Sequence, residues 1–247
     1  MEVELRDKFI TLWHKYFNNA ELPFTFYYTN EIGNTPAANK ETPRCVINAL
    51  GSVRQGTPLA CDAQTVGCPG GRRYLGFAEN ITPDFDYFLS YGIEGKVRGE
   101  RYVKSPELVR KMQEQAPRFK APAKNIVFKR WDKLTASDNP DVVVFVETAD
   151  VLAGLFTLVR FDNINRDAVA TPFGSGCSSI IMYPYLEKDS ENPRAIIGLF
   201  DPSARPFVPK DALSFAVPFK KLVTMMNNME ESFLITETWQ RIQQRIP

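Results

Sequence analysis

The chain has 247 residues, 30 Lys and Arg against 29 Asp and Glu, a formal net charge of +1 and 44% hydrophobic residues. This near-neutral balance without blocks of like charge lacks the basic footprint of a nucleic-acid binder, so no such partner is expected. No apolar run of about 18 residues occurs, the charged start Met1-Glu2-Val3-Glu4 does not read as a secretory leader, and four cysteines are too few for a disulfide framework, so a cytoplasmic protein with reduced thiols and no membrane partner is expected.

Leu5, Phe9, Leu12, Trp13, Tyr16 and Phe17 recur at helical spacing and predict a first helix, closed by Asn18-Asn19 and Pro23. The aromatic run 24–28 predicts a buried strand, and residues 34–43, with two prolines, an exposed loop. Val46, Ala49, Leu50 and Val53 predict a helix begun by Cys45 and stopped by Gly56. Residues 61–71 predict a turn-rich loop, and 91–96 and 101–103 short strands. Ser105-Pro106 marks a helix start, with serine as N-cap and proline at the first position. Residues 116–124 read as a linker. Beyond them, 126–128 predicts a strand and 137–140 a turn. The run 142–146 is apolar on both faces and predicts a central strand. A helix over 151–160 follows, then a glycine-rich loop at 174–177 and strands at 180–185, 195–200 and 213–217. Pro218 opens a helix whose one face carries Leu222, Met225, Met226 and Met229, and Ile235, Trp239, Ile242 and Ile246 predict a last helix.

The order of features recurs. Strand, helix, Gly-Cys loop, strands and helix appear with Gly67-Cys68 in the first half and Gly176-Cys177 in the second. This predicts two fused half-repeats, 23–115 and 125–230, within one domain spanning 1–247. The fold class is α+β, a mixed sheet flanked by helices with an extra helix at each end. If the halves are related, Cys68 and Cys177 face a shared cleft.

The segment 61–76 reads Cys…Gly-Cys-Pro-Gly-Gly…Leu-Gly, and the second half joins Gly176-Cys177 to Pro193-Arg194, Gly198, Ser203, Arg205 and Val217-Pro218. Together these residues resemble the domain of unknown function family 169, found mainly in archaea and anaerobic bacteria. The resemblance implies no activity; it directs attention first to Cys68 and Cys177, then to Arg205.

As chemistry, a cysteine among backbone N–H groups in a glycine-rich loop has its thiolate stabilised. Cys68 and Cys177 are therefore the candidate reactive residues. Gly67, Gly70, Gly71, Arg72, Gly176, Ser178 and Arg205 are candidates to hold a small anionic ligand or cofactor, whose identity stays unknown. Other readings stay open. Cys61, Cys68 and Cys177 are candidate metal or iron–sulfur ligands, although no close Cys-x-x-Cys pair exists. The cysteines could equally pack inertly in a non-catalytic assembly protein. The single histidine, His14, lies on the first helix and argues against a Cys-His or Ser-His pair. Whether the chain is an enzyme is not legible.

Overall fold

The computed structural model describes residues 1–39 and 45–247; the last part of the expected 34–43 loop lies outside these. Helix α1 (Val3–Phe17) leads into strand β1 (Phe24–Thr29). Then come α2 (Val46–Arg54), β2 (Leu59–Asp62), α3 (Pro69–Tyr74), α4 (Phe85–Leu89), the hairpin strands β3 (Gly92–Ile93) and β4 (Val97–Arg98), α5 (Pro106–Gln115) and β5 (Asn125–Arg130). The remainder runs β6 (Val142–Glu147), α6 (Ala149–Arg160), β7 (Val169–Ala170), a π-helical turn (Ser178–Met182), α7 (Tyr183–Glu187), β8 (Ala195–Gly198), β9 (Leu213–Pro218), α8 (Phe219–Asn228) and α9 (Glu237–Gln243).

Among the described residues seven strands form one mixed sheet in the order β2-β5-β1-β6-β9-β8-β7, with β3 and β4 as a separate hairpin. Only the β7–β8 pair is parallel among the described residues. Strand β6 is the fourth of seven and buried along its length, as a run apolar on both faces requires. Alternation sends Val143 and Phe145 to one side and Val142, Val144 and Val146 to the other.

The first side carries α1, α6, α8 and α9. Phe9, Trp13 and Phe17, four residues apart, stack at 18° along α1, and Trp239 meets Phe17 edge-on. Each buried indole finds a carbonyl: Trp13 donates to Ala20, Trp131 to Arg6 and Trp239 to Tyr16. The second side carries α2, the turn before α3, and the π-helical turn, through Val46, Ile47, Leu50, Val53, Val66, Ile180 and Ile181.

The helices α2 and α6, which occupy the same place in the two expected half-repeats, pack on opposite sides of the sheet. Three local expectations are corrected. Residues 101–103 form no strand; Arg101 and Val103 donate instead to the carbonyls of Ser90 and Leu89. Cys61 lies in strand β2 opposite Ile126, not in a loop. The 180–185 segment is helical. Its residues 180–182 are all buried, which removes any periodicity from the sequence, and Pro184 has no N–H to give a sheet ladder. Among the described residues no helix is long and apolar enough to cross a membrane.

Candidate functional site

Three of the four cysteines stand at the start of a helical segment: Cys45 before α2, Cys68 before α3 and Cys177 before the π-helical turn. At α3 the local sequence explains the turn. Pro69 occupies the first helical position, and the Cys68 Sγ accepts from the Gly71 N–H at 3.4 Å.

Two glycines let these segments close on α2. A Cβ at Gly71 would lie 3.0 Å from Val46 and 3.1 Å from Val66. At Gly176 it would lie 3.0 Å from Ala204 and 3.1 Å from Ile47 and Leu199. The first turn of α2 thus presses on both glycine-bearing turns. Burial, then the neighbouring Cys68 and Cys45 thiols and Asp201, push the Cys177 thiol well above its ordinary range. At neutral pH Cys177 is therefore a neutral thiol, only 7% exposed, while Cys68 and Cys45 are half-buried. The turns carrying Cys68 and Cys177 thus meet on α2, and Cys45, which the sequence marks as the start of that helix, joins them.

The surroundings are polar on one flank. Tyr74 of α3 is pushed up to about 12 by burial, with Tyr183, Cys177 and Asp201 among its neighbours and Arg73 opposing. The Asp201 carboxylate accepts from the Gly176 N–H at 3.1 Å and from the Ser203 hydroxyl at 2.8 Å, which fixes the turn ahead of Cys177. Ser178 faces inward, its hydroxyl donating to Ser175 O at 2.8 Å.

The candidate cations are differently engaged. The Arg205 guanidinium donates to the carbonyls of Leu199, Pro209, Lys210 and Ala212. It ties the 199–212 loop together, and its fork is filled by backbone. Arg72, exposed on α3, donates through Nε to Val66 O at 2.6 Å, and Arg73 reaches Pro117 O at 3.3 Å. Gly67 is exposed and Gly70 half-buried beside Cys68.

Cys61 stands apart in β2; burial, then Asp62, pushes its thiol up to about 12. Among the described residues no three His, Cys, Asp or Glu side chains are grouped to hold a metal ion, so the set Cys61, Cys68 and Cys177 is not assembled as ligands. His14 is exposed on α1, paired with Asn18 O at 3.1 Å.

The space beside the second glycine loop is apolar. A hollow of about 230 Å³ is lined by Pro172, Phe173, Gly174, Ser179, Leu199 and Phe200 among others. Leu199 has φ +65°, an unusual conformation for a branched side chain. Cys45, Tyr74, Asp201 and Leu199 were not singled out from sequence as site residues. For Cys45 one signal existed: it opens a helix, as Cys68 does.

A family model described as DUF169, uncharacterised ArCR, matches residues 15–228. No curated protein and no solved structure matches the chain.

Proposed function

We propose that this chain, which belongs to the DUF169 family by its match over residues 15–228, binds a small ligand where the Cys45, Cys68 and Cys177 segments meet and acts on it through reversible thiol chemistry. The observation supporting this reading is that cysteines distant in sequence share one neighbourhood with unequal burial. Cys68 is half-open to solvent beside a backbone N–H, while burial keeps the neighbouring Cys177 a neutral thiol.

The two sulfurs divide the work. With a small-molecule disulfide as oxidant, the Cys68 thiolate attacks one sulfur, forming a mixed disulfide and releasing one thiolate, which takes up a proton. Cys177 then loses its proton and attacks the Cys68 sulfur, releasing the second small thiol. The protein gives up two electrons and two protons, and the small disulfide becomes two thiols. Because Cys177 resists ionisation, the second step quickens as pH rises through the alkaline range.

Thiol labelling of the native protein tests this. Cys68 reacts first, Cys61 and Cys177 only after unfolding, and oxidised glutathione yields a chain lighter by two hydrogens with Cys68 joined to Cys177. Labelling of all four cysteines only in denaturant would favour inert packing and end the proposal.

A second reading is a small anion or anionic cofactor on the amides of Gly67, Gly70, Gly71 and Gly176. The observation favouring it is Arg72, exposed on α3 at the mouth of this turn. Native mass spectrometry of the purified chain separates the two: a retained ligand lost in Arg72→Ala supports the anion reading.

A further inference from the structure

We propose that the hollow around the β3–β4 hairpin is a binding site for a phosphate monoester that carries a planar ring, independent of the thiol site. The hollow is an open, mainly polar surface concavity of about 590 Å³. Lys96, Arg98 and Arg101 line it against a single carboxylate, Glu94. Lys96 is engaged by Asp84 at 2.6 Å. The side chains of Arg98 and Arg101 make no hydrogen bond or ion pair among the described residues. Two exposed guanidinium groups in one concavity, unpaired with any carboxylate, suit a doubly charged phosphate, which their fork geometry matches.

The frame that holds them is rigid. Gly92 pairs with Arg98 across the hairpin, and a Cβ at Gly92 or Gly99 would collide with the facing backbone. The N–H groups of Glu100, Arg101 and Val103 are pinned to the carbonyls of Phe88, Ser90 and Leu89. Arg101 itself has φ +56°. A long side chain is thus kept at a position that favours glycine, the kind of local cost that persists where the side chain has a task. Tyr91, 53% exposed and lining the same hollow, is braced by Tyr87 at 76° and 6.1 Å and offers a surface for a flat ring.

Titration calorimetry on the full chain with adenosine 5′-monophosphate, inorganic phosphate and adenosine tests the assignment. The monophosphate binds saturably and more weakly as salt rises. Arg98→Gln and Arg101→Gly each lower its affinity about tenfold. Tyr91→Ala weakens the monophosphate and leaves inorganic phosphate unchanged. Arg101→Gly relieves the left-handed backbone, so lost binding there is not lost folding. Absence of saturable binding by both phosphates, or binding unchanged in both arginine variants, overturns the site. Phosphate binding to which the adenosine portion adds nothing overturns the ring-bearing half of the proposal. Native Cys68 labelling is unaffected in every variant, which keeps this test separate from that of the thiol site.

Discussion

On one side of the sheet, Phe9, Trp13, Phe17, Phe145, Phe215 and Trp239 meet ring to ring, and each indole N–H has its carbonyl. On the other, Val46, Ile47, Val66, Ile180 and Leu199 close around two glycines, two buried serines and Cys177. The first side is filled by large rigid groups and has little to react. The second has rings of its own, Phe24, Phe26 and Phe128, but around Cys177 it is closed by aliphatic side chains resting on glycine backbone, which leaves sulfur, hydroxyl and carboxylate groups beside one another. The stacked rings of α1 and the glycine–cysteine turns lie across the sheet from one another, so each should respond to its own substitutions.

The strongest attempt to break that division is Trp239→Ala, which removes a side chain that is 1% exposed. The expected loss is about 3–5 kcal/mol by denaturant unfolding, with native Cys68 labelling unchanged well below the transition. A large labelling change would show that the two sides are one unit.

The next effect comes from the rim of the aromatic side. The Glu147 carboxyl is 6% exposed and its Oε1 has no hydrogen-bond partner. Burial, then Glu21, pushes it up to about 8 against the pull of Arg54, which itself grips Glu21 through two contacts of 2.7 Å. The unfolded carboxyl releases its proton near 4.5, whereas the folded one keeps it. Stability is therefore full below that value and falls as pH climbs towards 8. Between pH 6 and 8 the loss is about 2–3 kcal/mol. Thermal unfolding at those two pH values, with Glu147→Gln as the flat reference, checks it; a wild-type curve as flat as that variant's would refute the buried acid.

Two smaller effects sharpen the description of the thiol side. Gly71→Val forces a side chain against Val46 and Val66 and costs about 1–3 kcal/mol. It also lowers the yield of the Cys68–Cys177 crosslink, read by mass after oxidation, because the α2–α3 approach opens. Cys68→Ser keeps an acceptor for the Gly71 N–H, so stability changes by less than about 0.5 kcal/mol, while crosslinking is abolished.

The parts legible in the sequence were those decided by local pattern. The α1 stripe, the Ser105-Pro106 start of α5 with the serine accepting from Leu108 N, and the central position of β6 all follow from periodicity, capping and burial. The π-helical turn and α7 did not, because a buried Ile-Ile-Met run carries no period and β-branched residues suggest a strand. Strand β2 was missed because Leu59-Ala60-Cys61-Asp62 is short, and only the β5 partner and the bridge to Ala37 make it a strand. At the site, the glycine-cysteine turns were visible. Arg205 was visible too, but its clamp on four carbonyls depends on how a distant loop folds back, and so does the arrival of Cys45 beside Cys177.

The pairing of β1 has a consequence for how the chain is made. Thr25 and its partner Lys129 are separated by 104 positions, and the other neighbour, β6, comes later still. At about 5–20 residues per second, a ribosome leaves Phe24 and Phe26 without either partner for about 5–20 s. During that interval the emerging segment presents an unpaired aromatic edge to its surroundings, so the load this protein places on chaperones is set early in translation and relieved only once the middle of the chain has left the exit tunnel.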